Sequence, residues 1–200
     1  MKCLKAKIAS ALLRLVGWSA VGDRPEPAKC IVVCAPHTSN LDYLLMILVA
    51  TSRNLRISFL GKEALFRFPL GWLMRATGGI PVDRSAPRGL VGQLVDRFNS
   101  SDTLALAIPV EGTRSRTEHW KSGFYRIAEQ ADIPLVLAFI DRTTKTSGFG
   151  PTMRVSGDIG ADMDLIRQAY EGKVGIRPAN AGPIRLREEL DSSETPAIEP

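Results

Sequence analysis

Only two histidines occur in the 200 residues, and one of them, His37, stands five positions before Asp42 in the stretch "IVVCAPHTSNLDYLLM". An imidazole that donates one ring N–H to a carboxylate has its tautomer fixed. Its other nitrogen is then free to take a proton near neutral pH, which is general-base chemistry. On one continuous helix, five residues would set the two side chains ~140° apart, on different faces. They meet only if the chain turns between them. Thr38, Ser39 and Asn40 all favour helix N-caps. With Ser39 as the cap, Asp42 becomes the third helical residue and His37 lies just outside the helix. A second reading stays open on these residues alone. Ser39 and Asp42 have the spacing of a capping box, and an aspartate in a first helical turn complements the helix dipole without any catalysis.

The elements that must carry this pair read as alternating strands and helices. Ile31 to Ala35 is a continuous apolar run, short enough for a buried strand, and Leu41 to Ala50 follows as a helix. Leu55 to Leu60 alternates as a strand does, and Glu63 to Ala76 reads as a helix bent at Pro69. "GGIPVDR" reads as a short strand, and Leu90, Val91, Leu94, Val95 and Phe98 mark a helix face. Thr103 to Val110 and Ile133 to Ile140 are two more strands, separated by a helix near Gly123 to Gln130. Met153 to Val155 reads as a strand and Asp162 to Tyr170 as a helix. The pattern predicts a single α/β domain, a largely parallel central sheet flanked by helices. Ligands gather where the strands of such sheets end. The two chemically equipped strand exits are "PHTSNLD" and, after "LALAI", "PVEGTRSR".

Charge narrows the partners. The chain carries +5 overall, but from Glu188 onward it has five acids and no base, which leaves 16 acids against 26 bases elsewhere, a body near +10. Such a surface fits an anionic partner. No nucleic-acid-binding module is recognisable, which sets nucleic acid aside. Cys30 and Cys34 flank an extended run, and at ~3.3 Å per residue their Cα atoms would lie about 13 Å apart, beyond disulfide reach. With Cys3 the thiols number three, an odd count that fits a reducing compartment. No metal-ligand spacing appears, and no cofactor is called for. The N-terminal "MKCLKAKIASALLRLVGWSAVGD" is read as an amphipathic helix rather than a signal peptide, because Arg14 interrupts its apolar stretch. Leu4, Ile8, Leu12, Leu15 and Val16 fall on one side at helical spacing. That stripe either packs on its own domain or lies in a membrane interface with Trp18 at headgroup level.

"HTSNLD" is an H-x4-D motif, and with three later segments it resembles the glycerolipid acyltransferase family, the enzymes that acylate lysophosphatidic acid. "GGIPVDR" resembles the second block of that family, with Arg84 at its basic position. "VEGTRS" resembles the third, F-P-E-G-T-R-S, and "WKSG", containing Lys121, resembles the F-K-x-G that follows it. "IPLVLAFI" resembles the fourth, V-P-I-V-P. The four blocks keep their order and cover Pro36 to Ile140. Val110 and Leu137 depart from the pattern at positions where the family has proline, and are expected to alter pocket shape.

The resemblance implies transfer of a fatty acyl group from acyl-CoA or an acyl carrier protein, as co-substrate, to the hydroxyl of a lysophospholipid such as lysophosphatidic acid. No cysteine lies in the blocks, so direct transfer is expected, with His37 as general base and Asp42 orienting it. Arg84, Gly112, Thr113, Arg114, Ser115 and Lys121 would bind the acceptor's anion, and Glu111 would hold an arginine or the acceptor hydroxyl. His119, in "RTEHWK", reads as a loop histidine. Phe66, Phe68 and Trp72 are either acyl-groove lining or core. Residues 1–22 would form the amphipathic helix, 23–186 the acyltransferase domain, and 187–200 an acidic, disordered tail. The enzyme would sit in the cytoplasm, peripheral on the inner face of an anionic membrane. Two alternatives remain: a thioesterase or hydrolase using Ser39, and a non-catalytic lipid-binding protein.

Overall fold

The computed structural model describes residues 2–69, 71–82 and 89–189. Seven strands, β1 (Ser19–Val21), β2 (Lys29–Ala35), β3 (Ile57–Lys62), β4 (Gly79–Val82), β5 (Leu104–Pro109), β6 (Leu135–Asp141) and β7 (Thr146–Met153), form one sheet. Its order is β1-β7-β6-β2-β5-β3-β4. Every neighbouring pair is parallel except β6 and β7, as the alternation of strands and helices predicts. The central strands β2, β5 and β6 are apolar apart from Lys29 and Asp141 at their ends, because both faces are covered.

Alternate residues of those strands feed two separate cores. Ile31, Val33, Leu104, Leu106, Leu135 and Leu137 point to one face. There they meet α4 (Gly89–Asn99), α5 (Gly123–Gln130) and α6 (Ile159–Tyr170). Cys30, Val32, Ala105, Ala107 and Val136 point to the other face, against α1 (Lys2–Leu15) and α2 (Leu41–Ser52). The period of two along each strand thus assigns every side chain to a layer.

Helix α1 packs on the domain with one face and leaves the other exposed. Ala6, Ala9 and Leu13 are buried on the domain, where small residues let α1 approach α2 closely. Leu4, Ile8, Leu12, Leu15 and Val16 stay exposed, Leu15 by 82%.

Several boundaries differ from the sequence reading. The expected helix over 63–76 is two pieces, a 3-10 turn (Glu63–Phe66) and α3 (Gly71–Ala76). Pro69 stands between them and has no N–H to continue the ladder, and the Phe68–Pro69 bond is cis. Strands β1 and β7 were not anticipated, apart from the last residue of β7. "TSGFGPTM" carries two glycines and a proline, so only pairing to β6 makes it a strand. Glu188 and Glu189, read as part of the acidic tail, make contacts with the domain. Glu188 accepts hydrogen bonds from Ser122 and Arg126, and Glu189 from Arg167 and the Leu186 N–H. Residues 190–200 lie outside the described ones.

Candidate active site

Strand β2 ends at Ala35, a cis bond joins Ala35 to Pro36, and the chain then turns into α2. The N-cap of α2 is Asn40 rather than Ser39, and its side chain makes no capping hydrogen bond. Ser39 Oγ accepts the Leu41 N–H at 3.2 Å, and a second contact runs the other way. Asp42, in the first turn, reaches back so that its Oδ2 accepts the backbone N–H groups of Thr38 (2.6 Å) and Ser39 (2.8 Å). The Thr38 and Ser39 N–H groups precede the helix, within reach of a carboxylate in its first turn.

The same Oδ2 lies 3.3 Å from Nδ1 of His37. Asp42 is 4% exposed and the imidazole 20%. The carboxylate is therefore held rigidly by two backbone donors while facing the ring, the arrangement expected from the sequence. Among the described residues Nε2 of His37 has no hydrogen-bond partner, which leaves it available to a proton.

Glu111 makes a contact that the sequence did not suggest. It is 5% exposed, and its Oε1 accepts the backbone N–H of His37 at 2.9 Å. Among the described residues it holds no arginine. Among the described residues Oε2 has no partner, and neither does Oδ1 of Asp42. Burial pushes the Glu111 carboxyl above its ordinary range, against the pull of the His37 N–H it accepts. The two motif loops are thus tied to each other through one side chain.

The rest of "EGTRSR" is open. Gly112, Thr113, Arg114 and Ser115 are exposed, and Gly112 takes a positive φ of 68° at the tip of the turn. A Cβ there would come within 3.1 Å of the Lys121 stem, which lies across the turn. Thr113 Oγ1 accepts the Ser115 N–H, and Lys121 is exposed. Arg84 lies outside the described residues. The loop histidine, His119, lines none of this, and its Nε2 is buried without a partner among the described residues.

Beneath His37 runs a cavity of about 690 Å³. His37, Asp42 and Arg114 stand on its wall, with Tyr43, Leu44 and Met46 of α2 and Phe59, Met74, Phe139 and Phe149. The sequence reading missed it, because its wall is gathered from β3, β6, β7 and α2 and no single stretch announces it. Phe66 is core, whereas Phe68 (98%) and Trp72 (71%) are exposed, so none of the three lines this cavity. Val110 and Leu137 belong to the core on the opposite face of the sheet rather than to the cavity wall, which corrects their expected part in pocket shape. Cys34 does line the cavity, but burial pushes its thiol up to about 12, with Glu111 adding to the rise. It stays a neutral thiol at physiological pH and is no nucleophile.

Residues 21–140 match the model of a protein family described as Acyltransferase. No curated protein sequence matches the chain. The fold is similar to the crystal structure of the 1-acyl-sn-glycerophosphate (LPA) acyltransferase PlsC from Thermotoga maritima, at 16% identity and a TM-score of 0.61. The match covers 86% of this chain and 77% of that one.

Proposed function

This chain belongs to the acyltransferase family, and from that premise we propose that it moves a fatty acyl group from a coenzyme A or carrier-protein thioester onto the free hydroxyl of a lysophospholipid such as lysophosphatidic acid. One observation carries the reading: an imidazole braced by a buried carboxylate stands at the wall of a deep apolar cavity that also has an arginine at its edge. The cavity takes the acyl chain, the arginine takes a phosphate, and the ring lies between them.

The chemistry follows from those places. Nε2 of His37 accepts the proton of the acceptor hydroxyl as its oxygen bonds to the thioester carbonyl carbon. Asp42, held by the Thr38 and Ser39 N–H groups, stabilises the imidazolium. The tetrahedral adduct collapses, the C–S bond breaks, and the departing thiolate recovers the proton from the imidazolium. Ester and free thiol leave, and the ring is neutral again. Arg114 offers a planar fork to the acceptor phosphate, with backbone N–H groups and Thr113 at the Gly112 turn. Ser115, Lys121 and, by resemblance, Arg84 complete that anion site.

The exposed leucine stripe of α1 would rest in the outer layer of an anionic leaflet, with the basic surface drawn to it. No helix among the described residues is long and apolar enough to cross a membrane. The proposal is a peripheral attachment, on the cytoplasmic face. Replacing Ile8, Leu12 and Leu15 together by serine leaves the packed face of α1 intact. It should release the protein from phosphatidylglycerol vesicles in a sedimentation assay, and unchanged sedimentation would remove α1 from this role.

Ser39 is poorly placed for hydrolysis: it is buried, and its Oγ accepts the Leu41 N–H. The deciding experiment incubates labelled acyl-CoA with and without lysophosphatidic acid. A new diacyl lipid is expected. Free fatty acid alone would mean a hydrolase, and lipid binding without product a carrier.

A further inference from the structure

The sheet places β2 between β5 and β6. His37 follows β2, Arg114 follows β5, and Arg142 follows β6 at the same edge. The catalytic loop is therefore flanked by cations on both sides, yet the acceptor's phosphate needs only one of them.

The second flank is built by a segment far along the chain. The Arg142 N–H donates to the Val174 carbonyl at 2.8 Å, and its Nη1 to the Ile176 carbonyl at 3.2 Å. The Arg177 N–H donates to Thr38 Oγ1 at 3.0 Å, and Asn180 Nδ2 to the Thr38 carbonyl at 3.2 Å. Gly175 allows this approach, since a Cβ there would stand 2.7 Å from Thr38 Oγ1. Thr38 is the residue next to His37, so the segment is clamped directly on the catalytic loop. Three cations come with it. The Arg177 side chain is exposed and makes no hydrogen bond among the described residues. Arg142 is exposed beyond its one contact. Lys173 Nζ lies 4.4 Å from the centroid of Phe139, a residue of the cavity wall. The acid on this flank, Asp141, is turned inward and accepts from the hydroxyls of Thr143 and Thr144.

We infer that Arg142, Lys173 and Arg177 form a shelf for the phosphate-bearing pantetheine handle of the acyl donor, on the opposite side of His37 from the acceptor's phosphate. The inference rests on the acyl-transfer reading and adds the place where the donor is held. Both substrates carry phosphate, and the thioester carbon must sit at His37 with its acyl chain in the cavity. Two separated cationic flanks let both anions bind without repelling each other across the reacting atoms. The shared ligand chemistry is a phosphate ester on a pantetheine arm, carried either by coenzyme A or by a carrier protein.

Arg177→Glu is the first test, because its guanidinium supports no described contact; Lys173→Ala is the second. Initial rates are measured against acyl-CoA and against acyl carrier protein thioester, and free coenzyme A binding is followed by calorimetry. The donor KM should rise about tenfold or more, the scale of one lost charge-assisted contact, with the acceptor KM unchanged. A rise with both donors assigns the shelf to the common phosphate. A rise with one donor alone assigns it to the groups peculiar to that donor. Unchanged donor KM and coenzyme A affinity in both variants would overturn the shelf, as would a rise confined to the acceptor KM. Wild-type protein that binds coenzyme A through Arg177 but transfers no acyl group would sink the acyl-transfer reading and leave the shelf standing.

Discussion

Two loops leave neighbouring strands at one edge of the sheet and are built by opposite rules. The loop after β2 is closed: Thr38 is 1% exposed, Ser39 7% and Asp42 4%, and each is bonded to the backbone of another residue or accepts from one. The loop after β5 closes only at its first two residues, Val110 in the core and Glu111, which it lends to the other loop. From Gly112 to Arg116 it is exposed. The difference follows from what each must do. Proton transfer needs heavy atoms within hydrogen-bond reach and alignment. Attraction between a guanidinium and a phosphate falls off slowly with distance and tolerates an open setting.

The contrast breaks most sharply at His37. His37→Ala should lower kcat by ~10²–10⁴, the usual worth of a positioned general base. Melting should hardly change, because among the described residues the imidazole's one polar contact is the 3.3 Å approach to Asp42. Retained turnover would remove His37 from the mechanism and make the closed loop purely structural. Asp42→Ala should cost both activity and stability, since it also strips the acceptor from two buried N–H groups.

Glu111 is the next test, because it belongs by sequence to the open loop and by contact to the closed one. Glu111→Ala leaves the His37 N–H without its buried acceptor, at a cost of ~1–3 kcal/mol, and loosens the loop that aims the ring. The expected loss is in kcat, roughly tenfold to a hundredfold on that scale, with the acceptor KM unchanged. A loss confined to acceptor KM would return Glu111 to the anion site.

How much of this was legible in the sequence divides along the same line. The central strands were readable because a strand covered on both faces must be apolar in its interior, and α4 because Leu90, Val91, Leu94, Val95 and Phe98 recur at helical spacing. The His37–Asp42 pairing was readable because "TSN" forces a turn. What braces that turn was not: the hold from Gly175 to Asn180 acts across about 140 residues. The tie from Glu111 to the His37 N–H was not legible either, because it is fixed by the pairing of β2 with β5, which no local pattern encodes. The cavity and β7 share that cause.

A smaller effect is expected on the open side. Arg114→Ala should raise the acceptor KM about tenfold, the loss of one charge-assisted contact. It should leave kcat and melting temperature nearly unchanged, since the side chain is exposed. Kinetics at two salt concentrations sharpen the point: screening should raise the acceptor KM of the wild type and do less in the variant. Equal salt sensitivity would place the phosphate elsewhere.

The smallest expected change is one of stability alone. Burial raises the Glu111 carboxyl above its ordinary value, so between the unfolded and folded values the native state binds more protons than the unfolded chain. Native stability must then fall as pH climbs through that window, and the ionised carboxylate at higher pH remains a buried cost. Glu111→Gln keeps an oxygen for the His37 N–H and carries no charge. The variant should therefore melt higher than wild type at pH 8, and lose that advantage as pH falls below the ordinary glutamate range. Its kcat should stay close to wild type, because the contact that aims the ring survives. A variant that melts lower than wild type at pH 8 would mean that the charge itself, rather than the acceptor atom, holds the two loops together.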